Sequence, residues 1–221
     1  MQMLIFFLLF LHSGLQLKSV PRLDTLTIIQ KPISYNKERV ELSLAYLRDR
    51  HNIIKEYPSI EPKFIVIHYT DGGTISSIYS YFNNTRIENS RTFNKKQSQL
   101  NVSAHYLIDR DGTIFQLIPD TLFARHIIGL NYCSIGIENI GSQTQPLTKK
   151  QIQSNIALIR HLHNKHKIQY LIGHFEYGAF RGTKLWKETN PGYFTGKIDP
   201  GKEAMEEIRN GVKDLKLLKN L

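Results

Sequence analysis

The sequence predicts an α/β fold, a single domain with a central mixed β-sheet flanked by helices. Three observations carry that class. β-rich apolar runs alternate along the chain with stretches of helical period, as in strands joined by crossover helices. Two of those runs flank Asp111-Gly112, a tight-turn dipeptide that sets one antiparallel pair in an alternating order, so the sheet is mixed. The 221 residues, 41% of them hydrophobic and 22% charged, supply one core and leave little room for a second. The same apolar fraction excludes a disordered chain, and 14 Gly with 8 Pro exclude a fibrous one.

From the N-terminus, Met3–Leu11 is an apolar run followed by His12, Ser13 and Gly14. A bilayer span needs about 20 residues, so this shorter run suits an export signal over residues 1–19, although no Lys or Arg precedes it. The alternative is a buried N-terminal strand or helix. Export would place the protein in the periplasm or outside the cell, at the envelope. Residues 20–37 form a polar lead-in with Pro21 and Pro32 and no clear period, and the domain is expected over 38–221, with its core at about 60–210.

Within the domain, Val40, Leu44 and Leu47 at i, i+4, i+7 predict an amphipathic helix over 38–52. Phe64-Ile-Val-Ile-His68 is a continuous β-rich run after Pro62, the pattern of a buried strand. Thr74 is placed to cap a short helix reaching Phe82. The runs 102–109 and 113–118 are the two arms of the hairpin. Ser134–Ile140 reads as another strand, and Thr148 caps a long helix to about His166 with Ile152, Ile156, Ile159 and His163 on one stripe. Ile168–Gly173 is a strand ending at His174. Residues 201–218 close the chain as a helix with Met205, Ile208, Val212 and Leu215 facing inward.

Composition narrows the chemistry. One cysteine, Cys133, excludes an internal disulfide framework and four-thiolate metal sites, leaving nine histidines and the carboxylates as possible ligands. The formal net charge is +10, of which +7 falls after residue 140. A basic half suits nucleic acid, an anionic membrane or an anionic polymer, or simply a solvated surface. No basic stripe interleaved with aromatics and no nucleic-acid motif appears, so no nucleic acid partner is expected.

Three polar residues are expected where buried strands end: His68, His174 and, in Gly196-Lys-Ile-Asp-Pro-Gly201, Asp199. Two imidazoles and a carboxylate are a donor set that suits zinc at one edge of the sheet, with a fourth position open for water. Spacings of 106 and 25 residues say little by themselves, and a histidine at a strand end is often structural. Glu138 sits between apolar neighbours on a strand, where a carboxylate needs either a partner or a role, such as general base. Lys197, two before Asp199, is either a solvated lysine or a cation able to stabilise an oxyanion.

Taken in order, Phe64-Ile-Val-Ile-His68-Tyr-Thr70, Val102-Ser-Ala-His-Tyr106-Leu-Ile-Asp-Arg-Asp-Gly-Thr113, Ser134-Ile-Gly-Ile-Glu-Asn139, Gly173-His174 and Lys197-Ile-Asp-Pro-Gly201 resemble the N-acetylmuramoyl-L-alanine amidase type 2 family. That family of zinc peptidoglycan amidases shares its fold with bacteriophage T7 lysozyme and the peptidoglycan recognition proteins. The resemblance covers residues 38–210. It implies one Zn2+ per chain held by His68, His174 and Asp199, with catalytic Glu138 and Lys197. The implied reaction is hydrolysis of the amide between N-acetylmuramic acid and L-alanine, in cell-wall degradation, remodelling or turnover. Glu138 would take a proton from the attacking water and pass it to the leaving amine, and Lys197 would stabilise the tetrahedral oxyanion. The partner would be a peptidoglycan or muropeptide substrate met by a monomer, with no stable membrane span.

Three departures from the family pattern stand out. The segment between His174 and Asp199 is long and carries Glu176, Arg181, Lys184, Trp186 and Tyr193, either a substrate-facing wall, with Trp186 binding substrate, or a structural flap. Arg125-His-Ile-Ile-Gly129 stands where the family often has Trp-His-Ala-Gly, which leaves His126 as a substrate contact or a group behind the metal. His105 reads as structural, and His161, His163 and His166 as non-functional. The competing reading is a non-catalytic peptidoglycan-binding module, and a zinc peptidase is disfavoured because no His-Glu-x-x-His helix is present.

Overall fold

In a computed structural model of the protein, residues 26–220 are described, and the expected export signal at 1–19 lies outside them. The elements run β1 (Ile28–Gln30), α1 (Lys37–His51), β2 (Phe64–Tyr69), α2 (Ile75–Asn83), α3 (Thr92–Gln97), β3 (Tyr106–Ile108), β4 (Ile114–Gln116), β5 (Ser134–Asn139), α4 (Lys149–Lys165), β6 (Tyr170–Gly173) and α5 (Lys202–Gly211). The sheet has the order β1-β4-β3-β5-β2-β6. Only β3 and β4 pair antiparallel, turning at Asp111-Gly112 with Gly112 at φ +90, and the other neighbours are parallel. The mixed sheet that the hairpin signal implied is present.

Strands β2, β5 and β6 are apolar on both faces because both faces are covered. Ile65, Ile67, Ile135, Ile137 and Leu171 meet α4 and α5 on one side, where Leu158, Ile159, Leu162, Met205 and Ile208 are buried. Phe64, Val66, Tyr170 and Ile172 pack on the other side with Tyr177, Phe180 and Ile127. Burying one such aliphatic or aromatic side chain stabilises by roughly 1.5–3 kcal/mol, so this two-sided layer dominates the core. Cys133 lies in the second layer, 1% exposed, as a small core residue.

Helix starts follow their capping signals. Thr74 and Thr148 each accept from the N3 backbone, and the N3 side chains of Ser77 and Gln151 return the bond as capping boxes. Elsewhere the structure departs from the expected pattern. The buried side of α1 is Arg39, Ser43, Tyr46, Leu47 and His51, not Val40 and Leu44. Arg39 is inside because its guanidinium donates to the carbonyls of Ser34, Phe82, Asn83 and Asn84, serving the end of α2. The lead-in supplies edge strand β1, which three residues of weak period did not reveal. The closing helix stops at Gly211 rather than 218. A Cβ at Gly211 would lie 2.3 Å from Ile156, so the glycine lets α5 approach α4 closely but also weakens the helix there.

Candidate active site

The site is assembled at the C-terminal ends of three neighbouring parallel strands. In the register, His68 of β2 faces Glu138 of β5, while Ile67 faces Gly173 of β6, so His174 follows directly beside them. Side chains alternate along a strand, and His68 continues the Phe64–Val66 row on the face away from α4 and α5. Paired residues share a face, so Glu138 emerges beside His68. Asp199 does not close a strand as expected: it arrives from the long 181–201 segment, which has no strand, and is pinned when Phe175 N donates to its carbonyl at 3.1 Å.

His68 Nδ1 and His174 Nδ1 lie 3.0 Å apart, and Asp199 Oδ2 is 3.0 Å from His174 Nδ1 and 3.3 Å from His68 Nδ1. At zinc–ligand bonds of about 2.0–2.1 Å, two donors of a tetrahedral site stand about 3.3 Å apart, close to each side of this triangle. All three side chains are buried, and they form the one such cluster among the described residues. Burial, with His68 alongside, lowers the His174 pKa to about 4, so this imidazole is a neutral lone-pair donor. Burial opposes ionisation of Asp199, but the hydrogen bond with His174 and the neighbouring His68 ring outweigh it and hold the carboxyl well below its ordinary range. Two imidazoles and one carboxylate, with ligand atoms within 4.8 Å of one another, fit a tetrahedral divalent metal with one position left toward the cavity.

That cavity, about 540 Å³, is lined on the metal side by His68, Glu138, His174, Lys197 and Asp199. Burial, reinforced by the charge of Asp199, raises the Glu138 pKa to about 7 against the opposing pull of His68, Lys197 and Arg91. Its Oε2 is shielded and has no hydrogen-bond partner among the described residues. A carboxyl balanced near neutrality, on a residue that lines the cavity, is equipped to exchange protons. Lys197 is exposed at the rim.

The remaining predicted residues divide. His126 lines the cavity beside His68 at 3.1 Å, and burial with His68 and His105 nearby keeps its pKa well below the ordinary value. Trp186 is not brought there: it packs on Gly129 and Tyr177 within the second apolar layer. Of the long segment's aromatic and charged set, Tyr193 alone lines the cavity, whereas Glu176 bonds Gly173 N and Arg209, and Arg181 lies over Phe194. His105 is structural, accepting from Gly136 N and bonding Leu122 O. His166 pairs with Asp120. Sequence reasoning missed Tyr69, Tyr81 and Arg91 in the cavity wall. The paired Tyr81 and Arg91, joined at 2.5 Å, sit in a stretch with no strand or motif to flag it.

The chain matches the family described as N-acetylmuramoyl-L-alanine amidase over residues 58–202. Among solved structures, N-acetylmuramoyl-L-alanine amidase LysC from Clostridium intestinale URNW has a TM-score of 0.51 at 20% identity, covering 85% of this chain and 97% of that one. The endolysin amidase LysCS from Clostridium intestinale URNW has a TM-score of 0.50 at 21% identity, covering 85% and 95%. At these identities the likeness establishes the fold. No curated protein matches the chain in sequence.

Proposed function

Since the chain belongs to the N-acetylmuramoyl-L-alanine amidase family, we propose that it is a zinc-dependent hydrolase cleaving the amide between N-acetylmuramic acid and L-alanine in peptidoglycan. The observation that carries this reading is the buried His68, His174 and Asp199 triangle sharing one cavity with the unengaged carboxyl of Glu138. His68, His174 and Asp199 would hold the metal, and zinc, when bound, supplies Lewis acidity that polarises a carbonyl and acidifies water. Glu138, in its ionised form, takes a proton from the attacking water. The same carboxyl, now protonated, returns it to the amine nitrogen as the amide bond breaks. Lys197, at the cavity rim, places a cation where the tetrahedral oxyanion develops. Tyr69, Tyr81 and Arg91 offer aromatic faces and one guanidinium to the sugar and peptide limbs of such a substrate.

The N-terminal apolar run supports export to the envelope, where this polymer lies. Among the described residues, no helix is long and apolar enough to cross a membrane. Digestion of purified peptidoglycan with and without a chelator tests the reading. Stem peptides with a newly exposed L-alanine amine should appear and vanish with chelator. Binding of muropeptide without release, by protein that carries zinc, would favour the recognition-module alternative and sink the amidase.

A further inference from the structure

A third imidazole stands behind the donor triangle. His126 Nδ1 lies 3.1 Å from His68 Nε2, and the two rings meet at 88°. The other nitrogen of His126, Nε2, is 3.3 Å from the backbone carbonyl of Ser134. A carbonyl oxygen only accepts, so Nε2 carries the hydrogen and Nδ1 presents a lone pair to His68. His68 must then donate from its own Nε2. That leaves the lone pair of His68 Nδ1 aimed at His174 Nδ1 and Asp199 Oδ2, the direction a metal ligand requires.

Two features hold His126 in this pose. Asn131 Oδ1 accepts from the backbone N–H groups of His126 and Ile127, both at 2.8 Å, and fixes the turn that carries the ring. Gly136, on β5, has no side chain, and a Cβ there would lie 2.7 Å from the imidazole. The strand thus leaves room for the ring at one position and supplies its hydrogen-bond acceptor two residues earlier.

We infer that His126 is a positioning residue that sets the tautomer of His68, so that Nδ1 rather than Nε2 meets the metal. The inference rests on the reading of His68, His174 and Asp199 as metal ligands, and it concerns binding of the metal rather than the chemistry on substrate. Groups bonded behind a metal-ligating imidazole typically change metal affinity by about 10–100-fold when removed. His126→Leu keeps an apolar side chain but removes the acceptor, whereas His126→Gln restores an acceptor oxygen.

Zinc affinity, read by competition with a chromophoric chelator, should fall about 10–100-fold in His126→Leu and largely recover in His126→Gln. In zinc-free wild-type protein, ring nitrogen NMR shifts should place the His68 hydrogen on Nε2. A folded His126→Leu protein that bound zinc as tightly as wild type would overturn the inference. So would a His68 hydrogen found on Nδ1 in the zinc-free wild type, a measurement that needs no variant to fold. Wild-type protein that took up no zinc would instead overturn the metal reading itself, an outcome separate from both.

Discussion

Glu138 carries the sharpest expectation among single residues. Replacing it with Gln removes the proton acceptor while preserving shape, and kcat on peptidoglycan fragments should fall by roughly 10²–10⁴-fold. Zinc content, measured by elemental analysis, should be unchanged, because Glu138 is not one of the three donors. A second expectation concerns Asp120, 3% exposed and not among the residues that line the cavity. Burial raises its pKa, but hydrogen bonds from Lys165, Tyr106 and His166 outweigh this and hold it at about 2. A depressed carboxyl stabilises the fold above its unfolded pKa of about 3.8 and loses that contribution as pH falls through 2. Asp120→Asn should therefore cost about 2 kcal/mol at pH 7, and the gap from wild type in urea unfolding should close between pH 4 and pH 2. His68, His174 and Glu138 were legible because each ends or interrupts an apolar run, whereas Lys197 and Asp199 were marked only by the family resemblance. Asp120 was not, because its partners come from a strand and from the end of α4, far along the chain.

Elements explain why the cavity keeps its wall. The 181–201 segment is tied to α1 by the buried Arg50–Glu188 pair and by Thr189 Oγ1 donating to Asp49 O at 2.7 Å. Removing one member of a buried pair strands the other, so Arg50→Ala should destabilise by about 3 kcal/mol. Adding Glu188→Gln to that variant should recover part of the loss, as equilibrium unfolding of the single and double variants would reveal. Trp186 belongs to the same clamp, seated on Gly129, whose φ of +78 and close approach admit no side chain. Trp186→Ala should lower the melting temperature and leave KM for muropeptide unchanged, the pattern of a packing residue. Local signals served the elements unevenly. Capping threonines and continuous apolar runs marked α2, α4, β2 and β5 within a residue or so. The face of α1 was misjudged because an arginine does core work there, and β1 went unseen because a three-residue edge strand borrows its order from β4.

For the whole molecule, the strand order decides whether scattered polar residues become a site. Gly136→Ala tests that dependence from a distance: the added methyl should push His126 from its place and weaken zinc binding in the chelator competition, while the sheet survives. The sequence by itself determined the α/β class, the mixed sheet, most element positions and the two candidate donors His68 and His174 at strand ends. Those features rest on local properties, namely apolar period, capping residues and the Asp-Gly turn, which the chain expresses over a few residues at a time. Only the tertiary structure decided that β5, β2 and β6 lie side by side, that Asp199 returns across 25 residues to complete the triangle, and that His126 stands behind His68 while Trp186 does not reach the cavity. Long-range pairing is won by burying both faces of the sheet together, a collective free energy that no short stretch of sequence displays.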